Sequence, residues 1–307
     1  MRPTYYAARE AVAYRHRHEC GILRVTGADR VTWLNGLLTN DITSGPGYSA
    51  WLTPQGRMIS DMFVVPRPDD LLLEVPAPLA AALAARLDGM IFAEDVRVAD
   101  ASAEVFALEM CGPDWQRALE AVVHSLSSPD AMTLRPAAVP VTGAVAYLSR
   151  VAFVGAAEAL AHAGIVALDD PTAEVLRVEA GVPQFLVDMG EDTIPLEAGL
   201  DHAISHTKGC YVGQEIIVRI RDRAHGRVAR HLVGLIFEGD GVPPVHQPVL
   251  QDGRQVGRLT SAVRSVVLDS PIGLAMLHRD AASAGTRVTL EDGTAGSVTV
   301  LPFVDGA

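Results

Sequence analysis

The chain has 307 residues, a formal net charge of −12 and 49% hydrophobic residues, which is enough apolar material for ordinary protein cores. This composition excludes an intrinsically disordered chain, a collagen-like repeat and a small disulfide-stapled protein. No apolar run reaches the roughly 20 residues that a membrane helix needs, and the N-terminus lacks the apolar core of a secretory signal. The three cysteines are widely spaced and form no CxxC pair. We therefore expect a cytoplasmic protein with no membrane partner.

The basic residues are unevenly distributed. Arginine accounts for all of them except Lys208, the only lysine in the chain. Residues 208–231 carry a net charge of +4 within the acidic chain. The overall negative field disfavours a nucleic-acid partner, because such binding depends on neutralising phosphates. The local basic stripe suits one modest anionic ligand, or it is a solvated arginine-rich helix face.

In chain order, the first half predicts alternating helices and strands. A hairpin is expected around Pro54-Gln55-Gly56, where turn residues separate two extended runs. A loop rich in serine and proline is expected at residues 127–138. The remaining predicted elements are helices at 6–15, 28–38, 79–87 and 113–126, and strands at 21–26, 49–53, 58–65, 71–75, 96–99 and 104–110.

The second half has clearer boundaries. Asp170 is predicted to cap a helix whose first residue is Pro171 and which ends at Gly181. A further helix is expected directly behind the turn at residues 208–210. Residues 229–307 show short alternating strands with Asp-Gly turns, which predict a small all-β barrel.

Two acidic residues fall within apolar patterns. Glu179 projects into the apolar stripe of the helix at 171–181, where an unpaired carboxylate is costly. It either pairs internally, caps the helix or grips N–H donors of a ligand. Asp61 lies on a strand with two largely apolar faces, so it is either a structural buried acid or a proton-transfer group with a raised pKa.

Cys210 has features of a reactive thiol. Lys208 is two residues away and a helix is expected to start just after the cysteine, and both effects lower a thiol pKa. The alternative is a small buried hydrophobe. His202, His206 and Cys210 would align three metal ligands on one helix, but Gly209 argues against a continuous helix, and we predict no metal site.

The string KGCYVGQE at residues 208–215 resembles the signature of the YgfZ family, folate-binding relatives of the glycine-cleavage T-protein. Together with four further blocks, the similarity spans most of residues 20–235. The blocks are GILRVTGADRVTWLNGLLTNDI at 21–42, LTPQGRMISDMFVV at 52–65, LRVEAGVPQF at 176–185 and EDTIPLEAGLD at 191–201.

The resemblance implies an α+β fold arranged as a three-lobed ring. The first mixed α/β lobe would combine residues 1–48 with 165–228, the second would comprise 49–164, and the barrel would comprise 229–307. Tetrahydrofolate, or a one-carbon derivative of it, would occupy the central channel.

The resemblance also implies residue roles. Glu179 matches the glutamate that faces the pterin, and Asp61 matches the acid near the reactive folate nitrogens. Cys210 matches a YgfZ cysteine that the T-protein lacks, with Lys208 as its neighbour in the catalytic set. In the basic stripe, Arg223 and Arg227 are expected to bind the glutamyl tail through charged hydrogen bonds.

Three functions remain open at this point. The first is a tetrahydrofolate-binding accessory protein for iron–sulfur cluster assembly, maintenance or repair, with iron–sulfur client or assembly proteins as partners. Cys210 would be its redox or sulfur-handling group, in transient contact, since three scattered cysteines cannot supply the usual four thiolates of a cluster. The second is a folate-dependent aminomethyl or one-carbon transferase of the T-protein type. The third is a non-catalytic scaffold that has lost the ligand.

Overall fold

The computed structural model describes residues 2–128, 132–137, 140–223 and 226–304, and in these ranges the chain forms two five-stranded sheets and a closed six-stranded barrel. The helices are α1 (Arg2–Glu10), α2 (Arg30–Leu37), α3 (Ala80–Asp88), α4 (Trp115–Ser125), α5 (Arg150–His162), α6 (Asp170–Glu179) and α7 (Gln214–Arg223). Among the described residues, no helix combines the length and apolarity needed to cross a membrane.

The strands follow one another in three groups. Those of the N-terminal half are β1 (Ala13–His16), β2 (Cys20–Thr26), β3 (Gly47–Leu52), β4 (Met58–Pro66), β5 (Asp70–Pro76), β6 (Arg97–Asp100) and β7 (Val105–Cys111). Next come β8 (Met132–Ala137), β9 (Gly143–Ser149) and β10 (Val166–Ala167). The barrel strands are β11 (Arg230–Phe237), β12 (Pro248–Gln251), β13 (Arg254–Arg264), β14 (Pro271–His278), β15 (Arg287–Leu290) and β16 (Ala295–Thr299).

Each sheet buries one face under helices and the other against its neighbour. The first sheet has the order β10-β1-β7-β9-β8, and α4 and α5 share a hydrophobic core with it. The second sheet has the order β3-β4-β5-β2-β6, with α2 and α3 in its core. A separate apolar cluster between the sheets includes Leu72 and Val145. This α+β arrangement with a C-terminal barrel confirms the predicted fold class.

The predicted hairpin is confirmed. β3 pairs with β4 in antiparallel register, which places Ala50 opposite Asp61. Gly56 in the connecting turn has a φ of +74°, which glycine adopts without steric cost. Most of β4 is buried on both faces, and Asp61 is one of its partly exposed residues.

The predicted helix at residues 6–15 was wrong at its C-terminal end. α1 ends at Glu10, and β1 follows from Ala13 to His16. β1 lies inside the first sheet, parallel to β10 and antiparallel to β7. Its strand conformation therefore depends on partners about 90 to 150 residues away, which local propensity does not reveal.

The predicted loop at residues 127–138 contains a strand, which corrects that prediction. β8 pairs with β9 from Met132 to Ala137 and forms one edge of the first sheet. Pro136 is tolerated there because an edge strand leaves one row of N–H groups outside the ladder.

The sheets do not follow the predicted boundary at residue 48. β2, assigned to the first lobe, pairs with β5, assigned to the second. β1 likewise pairs with β7 across the predicted division. Sheet pairing therefore groups residues 20–100 around the second sheet, while the first sheet joins β1 and β10 to residues 105–149.

The start of α6 also differs from the prediction by one residue. Asp169, not Asp170, is the N-cap, and its Oδ1 accepts a hydrogen bond from the Thr172 backbone N–H at 2.8 Å. The helix ends as predicted, with Gly181 at a φ of +67°.

Candidate functional site

A cavity of about 1060 Å³ lies where the two sheets, the segment after α6 and the barrel meet. Its wall includes Asp61 from β4, Arg135 from β8, Gly181 after α6 and Val233 from β11. A pocket at the junction of several elements, with apolar walls and a few polar groups, is typical of a small-molecule site.

Among the predicted site residues whose side chains the structure describes, Asp61 is the one that lines the cavity. Burial raises the pKa of its carboxyl group to about 6, although a hydrogen bond from Tyr48 acts in the opposite direction. The Tyr48 Oη donates to Asp61 Oδ2 over 2.5 Å. The carboxyl group can therefore exist in both protonation states near neutral pH.

Tyr48 is a site residue that the sequence analysis missed. It lies on β3, lines the cavity and holds Asp61 by its hydroxyl group. The His202 ring stacks against the Tyr48 ring, with 5.5 Å between centroids and 18° between planes. Tyr48 directly precedes the predicted strand at 49–53 and lies two residues before Ala50, which is opposite Asp61. Extending that strand by one residue would therefore have placed Tyr48 on the same face as Asp61.

A buried charged network forms another part of the cavity wall and was also missed. Glu74 Oε2 accepts hydrogen bonds from Arg135 Nη2 at 3.0 Å and from Tyr147 Oη at 2.6 Å. Glu74 Oε1 lies 2.7 Å from Arg17 Nη1. Burial by itself raises the pKa of Glu74, but Arg17 and Arg135 more than offset it and hold the carboxyl well below its usual range.

Cys20 belongs to the same network. Its Sγ donates to Glu74 Oε1 at 3.2 Å, and the residue lines the cavity. Burial raises the pKa of the Cys20 thiol well above its ordinary value.

Lys208 lies outside the described wall of the cavity, and its side chain reaches the end of α2. Its Nζ is 2.5 Å from Asn35 O, 3.1 Å from Asn35 Oδ1, 2.8 Å from Leu38 O and 2.9 Å from Asn40 O. These oxygens include carbonyls that the helix end leaves without intrahelical partners. Burial lowers the pKa of Lys208 to about 8, against the effect of Asp41, so the ammonium form prevails at neutral pH.

Cys210 is exposed and is not among the described residues that line the cavity. α7 begins at Gln214, four residues later, and not directly behind the cysteine as predicted. Because the effect of a helix dipole fades within one turn, this distance weakens that contribution to thiol activation. The Lys208 ammonium contacts the oxygens near α2. Its predicted activation of the Cys210 thiol therefore stays a prediction.

Glu179 is fully buried, and the described cavity wall does not include it. Tyr5 Oη donates to its Oε2 at 2.5 Å, while Ser265 Oγ and the Val266 N–H donate to Oε1 at 2.6 and 2.9 Å. Donors from α1 and from the barrel thus satisfy both oxygens. These contacts favour the structural alternative, and a role in gripping a pterin stays a prediction.

Of the two arginines predicted for a glutamyl tail, Arg227 is the one whose side chain the structure describes. Arg227 is exposed and does not belong to the described lining. The side chain of Arg223 lies outside the described residues. Their assignment stays a prediction.

The three residues considered as metal ligands do not share a helix. His202 lies in a short 3-10 turn, Asp201–Ala203, and the segment from there to Cys210 is not helical. Within the described part of the chain, no group of three or more histidine, cysteine or acidic side chains is arranged to hold a metal ion.

Comparison with known proteins gives two family matches. The GCVT N-terminal domain matches residues 3–158, and the glycine cleavage T-protein C-terminal barrel domain matches residues 230–305. The second match coincides with the closed barrel.

Individual relatives agree with these matches. An aminomethyltransferase of Moorella thermoacetica is 30% identical over 87% of this chain and 79% of its own length. An aminomethyltransferase of Bacillus subtilis is 25% identical over 95% of this chain and 86% of its own length. The crystal structure of the glycine cleavage system aminomethyltransferase T from Bartonella henselae superposes with a TM-score of 0.87 at 20% identity. That alignment covers 99% of this chain and 89% of the other, and it shows the same fold.

Since the N-terminal family model covers half of the chain, the barrel model covers about half of the remainder, and a relative is 30% identical over 87% of this chain, the chain belongs to the glycine cleavage T-protein family.

Proposed function

We propose that this chain binds tetrahydrofolate in the cavity and catalyses aminomethyl or other one-carbon transfer of the T-protein type. The observation that carries the proposal is Asp61, a carboxyl group with a pKa of about 6 in the wall of a cavity of about 1060 Å³. A general acid or base works best when its pKa is close to the working pH.

The residues of the cavity fit a reduced folate. The volume accommodates a drug-sized ligand, for which pockets of roughly 300–1,000 Å³ are usual. Phe63, on the same face of β4 as Asp61, offers apolar surface for an aromatic ring, and Asp61 offers an acceptor for ring N–H groups. Bound tetrahydrofolate would supply the nitrogen nucleophiles that accept the one-carbon unit.

Asp61 and Tyr48 have different roles in the proposed reaction. Asp61 takes up or releases a proton at the reacting centre. Tyr48 fixes the orientation of the carboxyl group by donating to Oδ2 over 2.5 Å, so the other oxygen is directed consistently. The buried Glu74 network keeps the adjacent wall rigid, because each of its charges is paired.

Arg223 and Arg227 are proposed to meet the glutamyl tail. A folate tail carries carboxylates, and arginine pairs well with carboxylates. Arg227 is exposed, and Arg223 precedes it in the same basic stripe. The tail would then extend from the cavity toward this surface.

The test is a transfer assay with an aminomethyl donor and tetrahydrofolate, which follows the formation of methylene-tetrahydrofolate. The wild type is expected to turn over, and Asp61→Asn is expected to lose about 100-fold or more in rate, as when a general acid–base group is removed. Asp69→Asn, an exposed aspartate just beyond β4, is the matched control and should retain the wild-type rate. Folate binding without any turnover in the wild type would reject the transferase.

A second candidate function is the YgfZ-type role, an accessory protein for iron–sulfur proteins. The specific observation in its favour is the KGCYVGQE string together with the exposure of Cys210. An exposed thiol is accessible to a partner protein, whereas Cys111 is buried and Cys20 lies in the cavity. If the wild type binds folate without transfer and Cys210→Ser abolishes the recovery of an iron–sulfur enzyme in a cell lacking the chain, this candidate replaces the first.

A further inference from the structure

The segment that carries Cys210 is attached to the rest of the chain on both sides of the cysteine. On the C-terminal side, Gly213 has a φ of +83°, and a Cβ there would lie 2.6 Å from Thr53 O and 3.3 Å from Gly56 Cα. Only glycine allows so close an approach. Thr53 and Gly56 belong to the turn between β3 and β4, so this attachment reaches the hairpin that carries Asp61.

On the N-terminal side, the attachment is the Lys208 ammonium. It lies among four oxygens at 2.5–3.1 Å, contributed by Asn35, Leu38 and Asn40. A tetrahedral ammonium can direct its three protons to oxygens on several sides, whereas the planar guanidinium of arginine cannot. The chain uses arginine at its 24 other basic positions, which indicates that this site selects lysine for its shape.

The oxygens around Lys208 are connected to the cavity through Asn40. The Asn40 carbonyl accepts from Lys208, and its side-chain Nδ2 donates to the Tyr48 backbone O at 2.8 Å. Tyr48 in turn holds Asp61 by its hydroxyl group. Asn40 also donates to His202 O at 3.3 Å, so the ring that stacks on Tyr48 is tied to the same residue.

We propose that Lys208 is a positioning residue whose ammonium fixes the Cys210 segment to the end of α2 and, through Asn40, fixes Tyr48 beside Asp61. The cavity and the Cys210 surface are then coupled: a ligand that orders Tyr48 also orders the Cys210 segment, and the reverse holds by linkage. The effect on folate affinity rests on the proposed function, while the coupling of the two segments does not.

The experiment uses the full chain with Lys208→Ala and measures amide hydrogen exchange and tetrahydrofolate affinity. Both the segment 205–213 and the segment 38–48 are expected to lose exchange protection together. The dissociation constant for tetrahydrofolate is expected to rise about tenfold, a size typical of coupled neighbours. Methylammonium should restore both quantities in Lys208→Ala, because it brings an ammonium group to the vacated oxygens, and tetramethylammonium should not.

Two further variants keep the result interpretable. Arg117→Met removes a different cation that donates to a carbonyl at a helix end, Ala163 O at 2.7 Å, and neither residue is among the described lining of the cavity. It should leave both the exchange of 38–48 and the folate affinity at wild-type values. If Lys208→Ala does not fold, Lys208→Arg, which keeps the charge and changes the shape, is expected to show the same paired loss.

The proposal is overturned if only 205–213 loses protection, or if methylammonium restores nothing. A wild type that binds no tetrahydrofolate would reject the proposed function, and the exchange pattern alone would then decide the role of Lys208.

Discussion

At the scale of single residues, Asp61 predicts how stability depends on pH. Because burial raises its folded pKa to about 6 from an ordinary value of 3.8, the folded state holds this proton more tightly than the unfolded chain. Stability is therefore lost as the pH rises from about 4 to about 6, and the loss remains at higher pH. At about 1.4 kcal/mol per pKa unit, the cost of the ionised Asp61 is roughly 2–3 kcal/mol.

Asp61→Asn should remove this cost. We expect its free energy of unfolding to exceed that of the wild type by about 2 kcal/mol at pH 8 and to equal it at pH 4, in urea titrations at both pH values. Asp69→Asn, at an exposed aspartate in the turn between β4 and β5, should follow the wild type at both pH values. A constant difference between Asp61→Asn and the wild type across this range would show that Asp61 is not the group responsible.

Substitution of Glu179 is expected to lower stability, whereas substitution of Asp61 is expected to raise it. The reason is that the hydrogen bonds of Glu179 are made within the protein. Glu179→Ala leaves Tyr5 Oη, Ser265 Oγ and the Val266 N–H without their acceptor inside the protein. We expect a loss of about 2–4 kcal/mol in the free energy of unfolding, measured by urea denaturation. Asp170→Ala, at an exposed position of the same helix, should change it by less than about 0.5 kcal/mol.

The same variant tests the role that the sequence predicts. Titration with tetrahydrofolate under conditions where Glu179→Ala is folded should give near wild-type affinity if the carboxylate is structural. A loss of affinity of about tenfold or more, equivalent to roughly 1.4 kcal/mol, would assign Glu179 to the ligand after all.

At the scale of elements, the segment between the short turn Asp201–Ala203 and α7 leaves Cys210 exposed. Cys210 is exposed, whereas burial raises the pKa of the Cys111 thiol to about 12 and that of Cys20 well above its ordinary value. Since the thiolate is the reactive form, Cys210 should alkylate at least about tenfold faster than either at pH 7.5. Peptide mass spectrometry after timed iodoacetamide treatment measures the three rates. Comparable rates for Cys210 and Cys20 would contradict the assignment.

Elements defined by local chemistry were predictable from the sequence, and those defined by distant pairing were not. The turn at Gly56 and the stop at Gly181 carry their own backbone signals, so the β3–β4 hairpin and the end of α6 were placed correctly. β1 and β8 were missed because their strand conformation depends on pairing with β7 and β9. The strand propensity of a short segment does not reveal which distant strands it pairs with.

The same distinction between local signals and distant contacts applies to the residues of the candidate site. Asp61, which lines the cavity, could be singled out because an acid within an apolar alternation is visible in one short stretch of sequence. The partners of Glu74 could not be found, because Arg17 and Arg135 lie 57 and 61 positions away and meet it only when the two sheets pack. Glu179 shows the limit of the apolar-stripe argument: the pattern predicts a paired carboxylate but does not say whether the pair is protein or ligand.

At the scale of the whole molecule, Asp188 joins the barrel to the rest of the chain. Its Oδ1 accepts hydrogen bonds from Thr260 Oγ1 at 2.6 Å and Ser261 Oγ at 2.7 Å, both on β13. Its Oδ2 lies 2.6 Å from Arg177 Nη1 on α6, and its side chain is fully shielded from solvent. This one carboxylate therefore links two parts of the molecule that both form walls of the cavity.

Asp188→Ala should consequently loosen the barrel from the sheets. We expect a loss of about 2–4 kcal/mol, because Thr260 and Ser261 lose their buried acceptor while Arg177 keeps its pair with Glu174. Asp192→Ala is the matched control, since Asp192 pairs with Arg230 on β11 at 2.7 Å but is 67% exposed, and exposed pairs contribute about 1 kcal/mol or less.

Two probes can follow the unfolding of the sheets and of the barrel separately. The tryptophans, Trp33, Trp51 and Trp115, all precede the barrel, so their fluorescence reports on the sheets and their helices. Hydrogen exchange of β13 and β14 reports on the barrel. In the wild type both should change at one urea concentration, as in a cooperative unit. In Asp188→Ala the barrel amides should exchange at lower urea than the fluorescence transition, whereas Asp192→Ala should keep the two together. Coincident transitions in Asp188→Ala, shifted or not, would mean that apolar contacts between α6 and the barrel are sufficient to couple the two parts.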